Sequence, residues 1–209
     1  MPKVYIPTLY TSRNKCAYGD SEYIHCEKFV DLLCCFLKAN SIDYMVGKAK
    51  TIDDAASECN EYDPDICYSP HTAWSMRHDS RFSALYVFSA QPTSVAFRAS
   101  DRIRRRREEI YPRSVFINQN REDPEILATK IPTIIDYIVF HDNEEEALFF
   151  HNNMVEMAAA VAFGFCDYFG LIFIDPKNIP RSISEAESAG KLSMLLYELK
   201  DLILRYSQE

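Results

Sequence analysis

A chain of 209 residues with 47% hydrophobic and 26% charged side chains carries enough apolar material for one full core, which excludes a disordered polymer. Its net charge of −8 argues against the general electrostatic attraction to nucleic acid that a basic domain would have. Five glycines leave no room for a glycine-rich phosphate cradle, and no window is apolar for long enough to span a membrane.

Met1-Pro2-Lys3 leads straight into the strand-like Val4-Tyr5-Ile6 with no signal peptide, so the expected compartment as synthesised is the cytoplasm. The seven cysteines (16, 26, 34, 35, 59, 67 and 166) are odd in number and lie mostly in apolar runs, which reads as reduced thiols used as small hydrophobes. After a first strand at Lys3–Ile6 and a loop from Pro7 to Asp20, Asp20 or Ser21 can cap a helix. Its apolar face includes Phe29, Val30, Leu33, Phe36 and Leu37, and it ends near Asn40. Tyr44–Val46 reads as a second strand, Ile52–Cys59 as a short helix, Asp65–Tyr68 as a third strand and Leu85–Phe88 as a fourth. Thr93–Tyr111 is predicted helical, with Val95, Ala99, Ile103 and Ile110 along one side. Within it Arg102, Arg104, Arg105, Arg106 and Arg107 spread around more than half of the helix. Flanked by Asp101, Glu108 and Glu109, they read as a solvated face, with a patch for an anionic polymer as the sharper alternative. Pro112–Ile131 is polar and aperiodic and is predicted to be a loop.

The stretch from Pro132 to Gly170 organises the rest. Ile134–Phe140 has the β-branched, unbroken apolar character of a buried strand. Asp142 or Asn143 then offers a cap, and Glu144, Glu145 and Glu146 place negative charge on the positive end of a helix dipole. Ala147, Phe150, Met154, Ala158, Val161 and Phe165 recur as one helical face, and Gly170 stands where a left-handed stop is wanted. Strands alternating with helices predict an α/β fold, a mostly parallel sheet covered by helices on both faces, over residues 1–170. Residues 171–209 are expected to be a linker around Asp175–Pro180 and a C-terminal amphipathic helix striped by Leu192, Leu195, Leu196, Leu199, Ile203 and Tyr206. That helix is expected to fold back on its own domain, a dimer contact or partner docking being the alternatives.

The matches at Pro132, Thr133, Phe140, His141, Asp142, Asn143, Glu145 and Ala147, followed by Gly164, Cys166, Tyr168 and Gly170, carry a resemblance. The stretch is similar to the last strand and helix of zinc-dependent N-acetylmuramoyl-L-alanine amidases, especially the clostridial and phage-lysin branch. The resemblance implies hydrolysis of the amide between muramic acid and L-alanine. A zinc held by His, Glu and His would activate water, and a further Glu would act as general base. Carried over residue by residue, it assigns two metal ligands here. Glu22 opens the first helix after Tyr18-Gly19-Asp20, and His71 ends the third strand after Asp65, Ile66, Cys67 and Tyr68. The first-ligand column falls on Tyr10 and the general-base column on Tyr137, and tyrosine is a poor zinc ligand and a poor base at neutral pH. Asp136 cannot stand in for the base, because strand alternation sends it to the opposite face. His25, three residues after Glu22, is the candidate substitute ligand; His78 lies in a loop, and His141 and His151 read as structural.

These readings make the expected function that of an amidase-like protein with a degenerate zinc site, binding zinc weakly or not at all and acting as a binding or interaction protein. An active zinc-dependent wall hydrolase with a rearranged site is the alternative. A peptidoglycan fragment or a protein is the expected partner; membrane and nucleic acid are not.

Overall fold

A computed structural model describes residues 1–10 and 13–176; the predicted C-terminal helix lies outside the described residues. The chain runs β1 (Lys3–Ile6), α1 (Glu22–Ala39), β2 (Asp43–Val46), α2 (Ile52–Tyr62), β3 (Ile66–Ala73), β4 (Ser83–Val87) and α3 (Val95–Glu108). It continues with β5 (Val115–Gln119), α4 (Pro124–Ala128), β6 (Thr133–Phe140) and α5 (Glu144–Phe169). One six-stranded sheet has the order β2-β1-β3-β6-β4-β5, and every pair is parallel except β4 with β6.

Alternation along the strands divides the core into two unequal parts. Val4, Ile6, Ile66, Tyr68, Leu85, Val87, Ile134 and Ile138 pack with the buried faces of α1, α3 and α5 in the main cluster. Tyr5 and Cys67 point to the other side, where they meet Cys59 of α2. Helix α5 lies between α1 and α3 and is bent at Asn153, whose side-chain amide donates to the Phe149 carbonyl at 2.8 Å. The close approach of α3 to α5 requires Gly164, since a Cβ there would stand 2.5 Å from the Ile103 Cα. The ends of α5 are set by its sequence. The Asn143 side chain accepts from the Glu145 and Glu146 amides, and Gly170 closes the helix at φ 71°. Beyond it, Phe173 stacks on Phe163 and Phe36, and Ile174 exchanges hydrogen bonds with the Asn40 side chain.

Two expectations are corrected. The segment Pro112–Ile131 is not a continuous loop, for it contains β5 and α4. Nor is the arginine run wholly solvated. Arg107 is fully buried, its guanidinium paired with Asp136 of β6, while Arg104, Arg105 and Arg106 bond to Asp101, Glu108, Glu109 and Asp167. Arg107 falls on the buried face of α3 with Ala96, Ala99, Ser100 and Ile103, so it turns inward, and Asp136 is there to receive it.

Candidate functional site

The carboxyl ends of β3 and β6 open into a cavity of about 470 Å³. Its walls are aromatic (Trp74, Phe82, Tyr86, Tyr137 and Phe140), and its floor holds Glu22 and His71. In open parallel sheets this end of the strands is where ligands bind. A larger groove of about 740 Å³ lies at the opposite end, by Pro92, Arg98, Pro132 and Tyr168. Of its carboxylates, Asp101 and Asp167 are paired with arginines of α3 and Asp65 accepts from the Lys3 amide, which leaves the smaller cavity as the chemically distinctive one.

Glu22 enters as the first residue of α1 and is buried. Its oxygens are fully engaged. Asn14 Nδ2 donates to Oε2 at 2.6 Å, and the Thr72 amide donates to Oε1 at 3.2 Å. His71 Nδ1 lies 3.5 Å from the same Oε1. Burial alone would raise the Glu22 pKa, but His71, Asn14 and the Thr72 amide together hold it below the usual carboxylate value.

On its other side His71 meets a residue of the segment predicted to be a loop. Glu125 of α4 places Oε1 3.2 Å from His71 Nε2, and Ser69 Oγ donates to Glu125 Oε2 at 2.7 Å. Burial works against a charged imidazole, yet the two carboxylates, Glu125 ahead of Glu22, win and push the His71 pKa up to about 9. The Glu125 carboxyl is correspondingly held low against its burial by His71 and Ser69. At neutral pH His71 is an imidazolium sandwiched between Glu22, which lines the cavity, and Glu125, which does not. Local signals for α4 exist in Asp123-Pro124-Glu125: Asp123 caps the helix by accepting from the Glu125 amide at 3.0 Å, with Pro124 in the first turn.

The remaining assigned positions separate. Tyr137 faces the cavity, its ring 5.9 Å from that of His71 and 5.5 Å from that of Tyr86. Burial, aided by Asp123 and Glu125, pushes its pKa up to about 12. Tyr10 turns away to pack edge-on against Tyr23 of α1, and it is the neighbouring Leu9 that lines the cavity. His25 is buried beside Phe150 and His151, with Nε2 accepting from the Asp20 amide at 3.4 Å, so it is directed at α5 and not at His71. Burial, then His151, lowers its pKa to about 4 and keeps it neutral. His141 Nδ1 is 2.8 Å from the Thr72 hydroxyl, and His78 pairs with Asp142 at 2.9 Å. Asp136, on the far face of β6, takes the Arg107 guanidinium and the Tyr68 hydroxyl.

Zinc of the kind the resemblance implies needs several donors converging on one point with a position left open for water. Among the described residues no group of three or more His, Cys, Asp or Glu side chains is placed to hold a metal ion. The reason is geometric. Glu22 and Glu125 address different ring nitrogens of His71, so the imidazole stands between the carboxylates where a cation would otherwise stand. Of the donors the resemblance implies, the structure brings Glu22 and His71 together.

Neither a protein-family model nor a curated protein sequence matches the chain. Solved structures do match it, and they define its fold as that of the N-acetylmuramoyl-L-alanine amidases. The catalytic domain of CwlV from Bacillus (Paenibacillus) polymyxa var. colistinus is similar at TM-score 0.67 and 15% identity, over 82% of this chain and 100% of that one. The catalytic domain of the CD27L endolysin, which targets Clostridia difficile, gives 0.66 and 14% over 80% and 98%. The CwlD amidase from Clostridioides difficile, solved in complex with the GerS lipoprotein, gives 0.68 and 10% over 81% and 99%. No helix among the described residues is long and apolar enough to cross a membrane.

Proposed function

We propose that this protein uses the amidase fold to bind a peptidoglycan fragment without cleaving it. The observation that carries the reading is the sandwich of His71 between Glu22 and Glu125. Both ring nitrogens face carboxylate oxygens, at 3.5 Å and 3.2 Å, and neither is left open toward a further ligand. Tyr137 beside it, with its pKa near 12, is no base at neutral pH. The aromatic walls suit a sugar–peptide ligand, presenting apolar faces with the polar floor beneath them. A protein partner is a further candidate for the same role, since CwlD is held in a complex with GerS.

A second reading, a zinc hydrolase with a rearranged site, draws on Glu125, which brings a new carboxylate to His71 from α4. The two are separated by calorimetry with a soluble muropeptide, with and without added zinc, followed by chromatography of the ligand. The binding reading expects saturable binding that zinc does not change and a ligand recovered intact. Release of the L-alanyl peptide that stops with a chelator and is lost in Glu125→Gln would establish the second reading instead.

A further inference from the structure

Trp74 is the single tryptophan of the chain, and it lines the cavity while standing 58% exposed directly after β3. An indole left in water forgoes the burial that so large an apolar side chain normally gains. The backbone on both sides of it is nevertheless tied down. The Ala73 carbonyl accepts from the His141 amide at 2.9 Å, and the Ser75 amide and hydroxyl donate to Asp142 Oδ2 at 3.0 and 3.3 Å. His78 Nδ1 lies 2.9 Å from the same oxygen, and the His78 carbonyl accepts from Asn143 Nδ2 at 3.0 Å. The indole meets the His78 ring edge-on, 6.0 Å between centroids. The other wall rings pack on one another, Phe82 against Phe140 at 4.6 Å and Tyr86 against Tyr137 at 5.5 Å. Trp74 is thus a fixed apolar plate with a face to spare.

The polar groups around it narrow what that face can meet. Among the described residues, Glu22 is the one carboxylate lining the cavity, and Asn14, the Thr72 amide and His71 already address its oxygens. No arginine or lysine lines it. The Tyr86 and Tyr137 hydroxyls make no hydrogen bond among the described residues, and each can both donate and accept. Such a site answers an uncharged ligand with hydroxyl or amide groups and one flat apolar face. A free carboxylate would enter it without a cation to pair with, which is costly away from water.

We infer that Trp74 is the stacking platform for the pyranose ring of an N-acetylated amino sugar, with the Tyr86 and Tyr137 hydroxyls bonding its hydroxyl or acetamido groups. This deepens the binding reading above and rests on it: of the two halves of a muropeptide, the sugar occupies the cavity and the acidic peptide stays outside. The C–H face of the ring covers the indole, and the polar edge of the ring turns to the phenols. Because the backbone at Ala73 and Ser75 is already fixed, little further ordering opposes the contact.

Trp74 reports on its own occupancy, since no second tryptophan contributes to the emission. Full-length protein is titrated with N-acetylmuramyl-L-alanyl-D-isoglutamine, with N,N′-diacetylchitobiose and with L-alanyl-D-isoglutamine, following tryptophan emission and, in parallel, heat. The first two are expected to move the emission saturably to shorter wavelength, and the third to leave it unchanged. Trp74→Ala should weaken binding of the muropeptide by about tenfold without lowering the melting temperature, and Trp74→Phe should restore part of that loss. Tyr86→Phe and Tyr137→Phe should each weaken it a few-fold. Muropeptide binding that gives heat but leaves the emission unmoved, or that is equally tight in Trp74→Ala, would overturn this inference and leave the binding reading standing. An emission shift with the dipeptide in place of the disaccharide would overturn it too, by putting the peptide in the cavity. No heat and no emission change with any of the three would overturn both.

Discussion

The two faces of β6 solve the same electrostatic problem with different cations. On the core face, Asp136 is fully buried and takes both ends of the Arg107 guanidinium and the Tyr68 hydroxyl, with Ser83 Oγ accepting from the same arginine at 2.7 Å. On the cavity face, one position along, Tyr137 looks onto a floor where His71 stands between Glu22 and Glu125. Arginine is charged at every accessible pH, so the cation of the core network is permanent. Histidine is charged only because its carboxylates make it so, which leaves the cavity floor adjustable by pH and by whatever enters. A closed, fully buried ion pair suits a structural role; a histidine-based one beside 470 Å³ of space suits binding.

The sharpest way to break this contrast is Arg107→Met. It strands the Asp136 carboxylate in a site with no exposure, and losing one partner of a buried pair typically costs about 3–5 kcal/mol. Urea unfolding should show that loss, and adding Asp136→Leu should recover part of it, because the uncompensated charge is then gone. The next effect lies on the other face. The folded pKa of His71, about 9, stands above the ~6.5 of an unfolded histidine. The native state therefore holds the extra proton between those values, and stability falls as pH rises from about 6.5 through 9. The full contribution is present below that window and is on the order of 3 kcal/mol. Unfolding from pH 6 to 10 should show the limb in the parent protein and a flattened one in His71→Gln. Arg107→Met should lower the whole curve and leave the limb in place.

Gly164→Ala comes third. Its Cβ would stand 2.5 Å from the Ile103 backbone of α3, where no flexible side chain can yield, so α3 and α5 must separate. Overpacking of this kind costs about 1–3 kcal/mol. Since α3 carries Arg107 to Asp136, a thermal melt of Gly164→Ala combined with Arg107→Met should show less than the sum of the two losses.

Much of this contrast was legible in the sequence, and the illegible part has physical causes. The run of β6 and the caps of α5 are written locally, in β-branched residues, Asn143 and Gly170, and the structure places them within a residue or so. Asp136 facing away from Tyr137 follows from strand alternation. Helical spacing puts Arg106 and Arg107 beside the apolar face of Ala99 and Ile103 but does not say which of the two turns inward, since both lie one turn from Ile103. Glu125 reaches His71 only through the tertiary placement of α4, although Asp123 and Pro124 announced a helix start just before it. The choice of Leu9 over Tyr10 as the residue lining the cavity depends on backbone in an irregular loop, where no periodicity fixes which side chain points inward.

The smallest expected effect tests whether the arginine run is one feature or two. Arg105 is exposed and pairs with Asp101 four residues before it at 2.9 Å, and Arg104 bonds Asp101 at 2.8 Å and Glu108 at 2.7 Å. Such pairs gain little in high dielectric, lose side-chain entropy and are screened by salt, which leaves each worth about 0.3–0.5 kcal/mol. Arg105→Ala should therefore shift the urea midpoint barely beyond error at low salt and not at all in 0.5 M salt. Two residues along the same helix, Arg107→Met should cost several times more and be nearly indifferent to salt, because no counter-ion reaches a fully buried guanidinium. If Arg105→Ala instead proved as costly as Arg107→Met, the run would act as one cooperative network. The division of α3 into a solvated face and a single buried anchor would then fail.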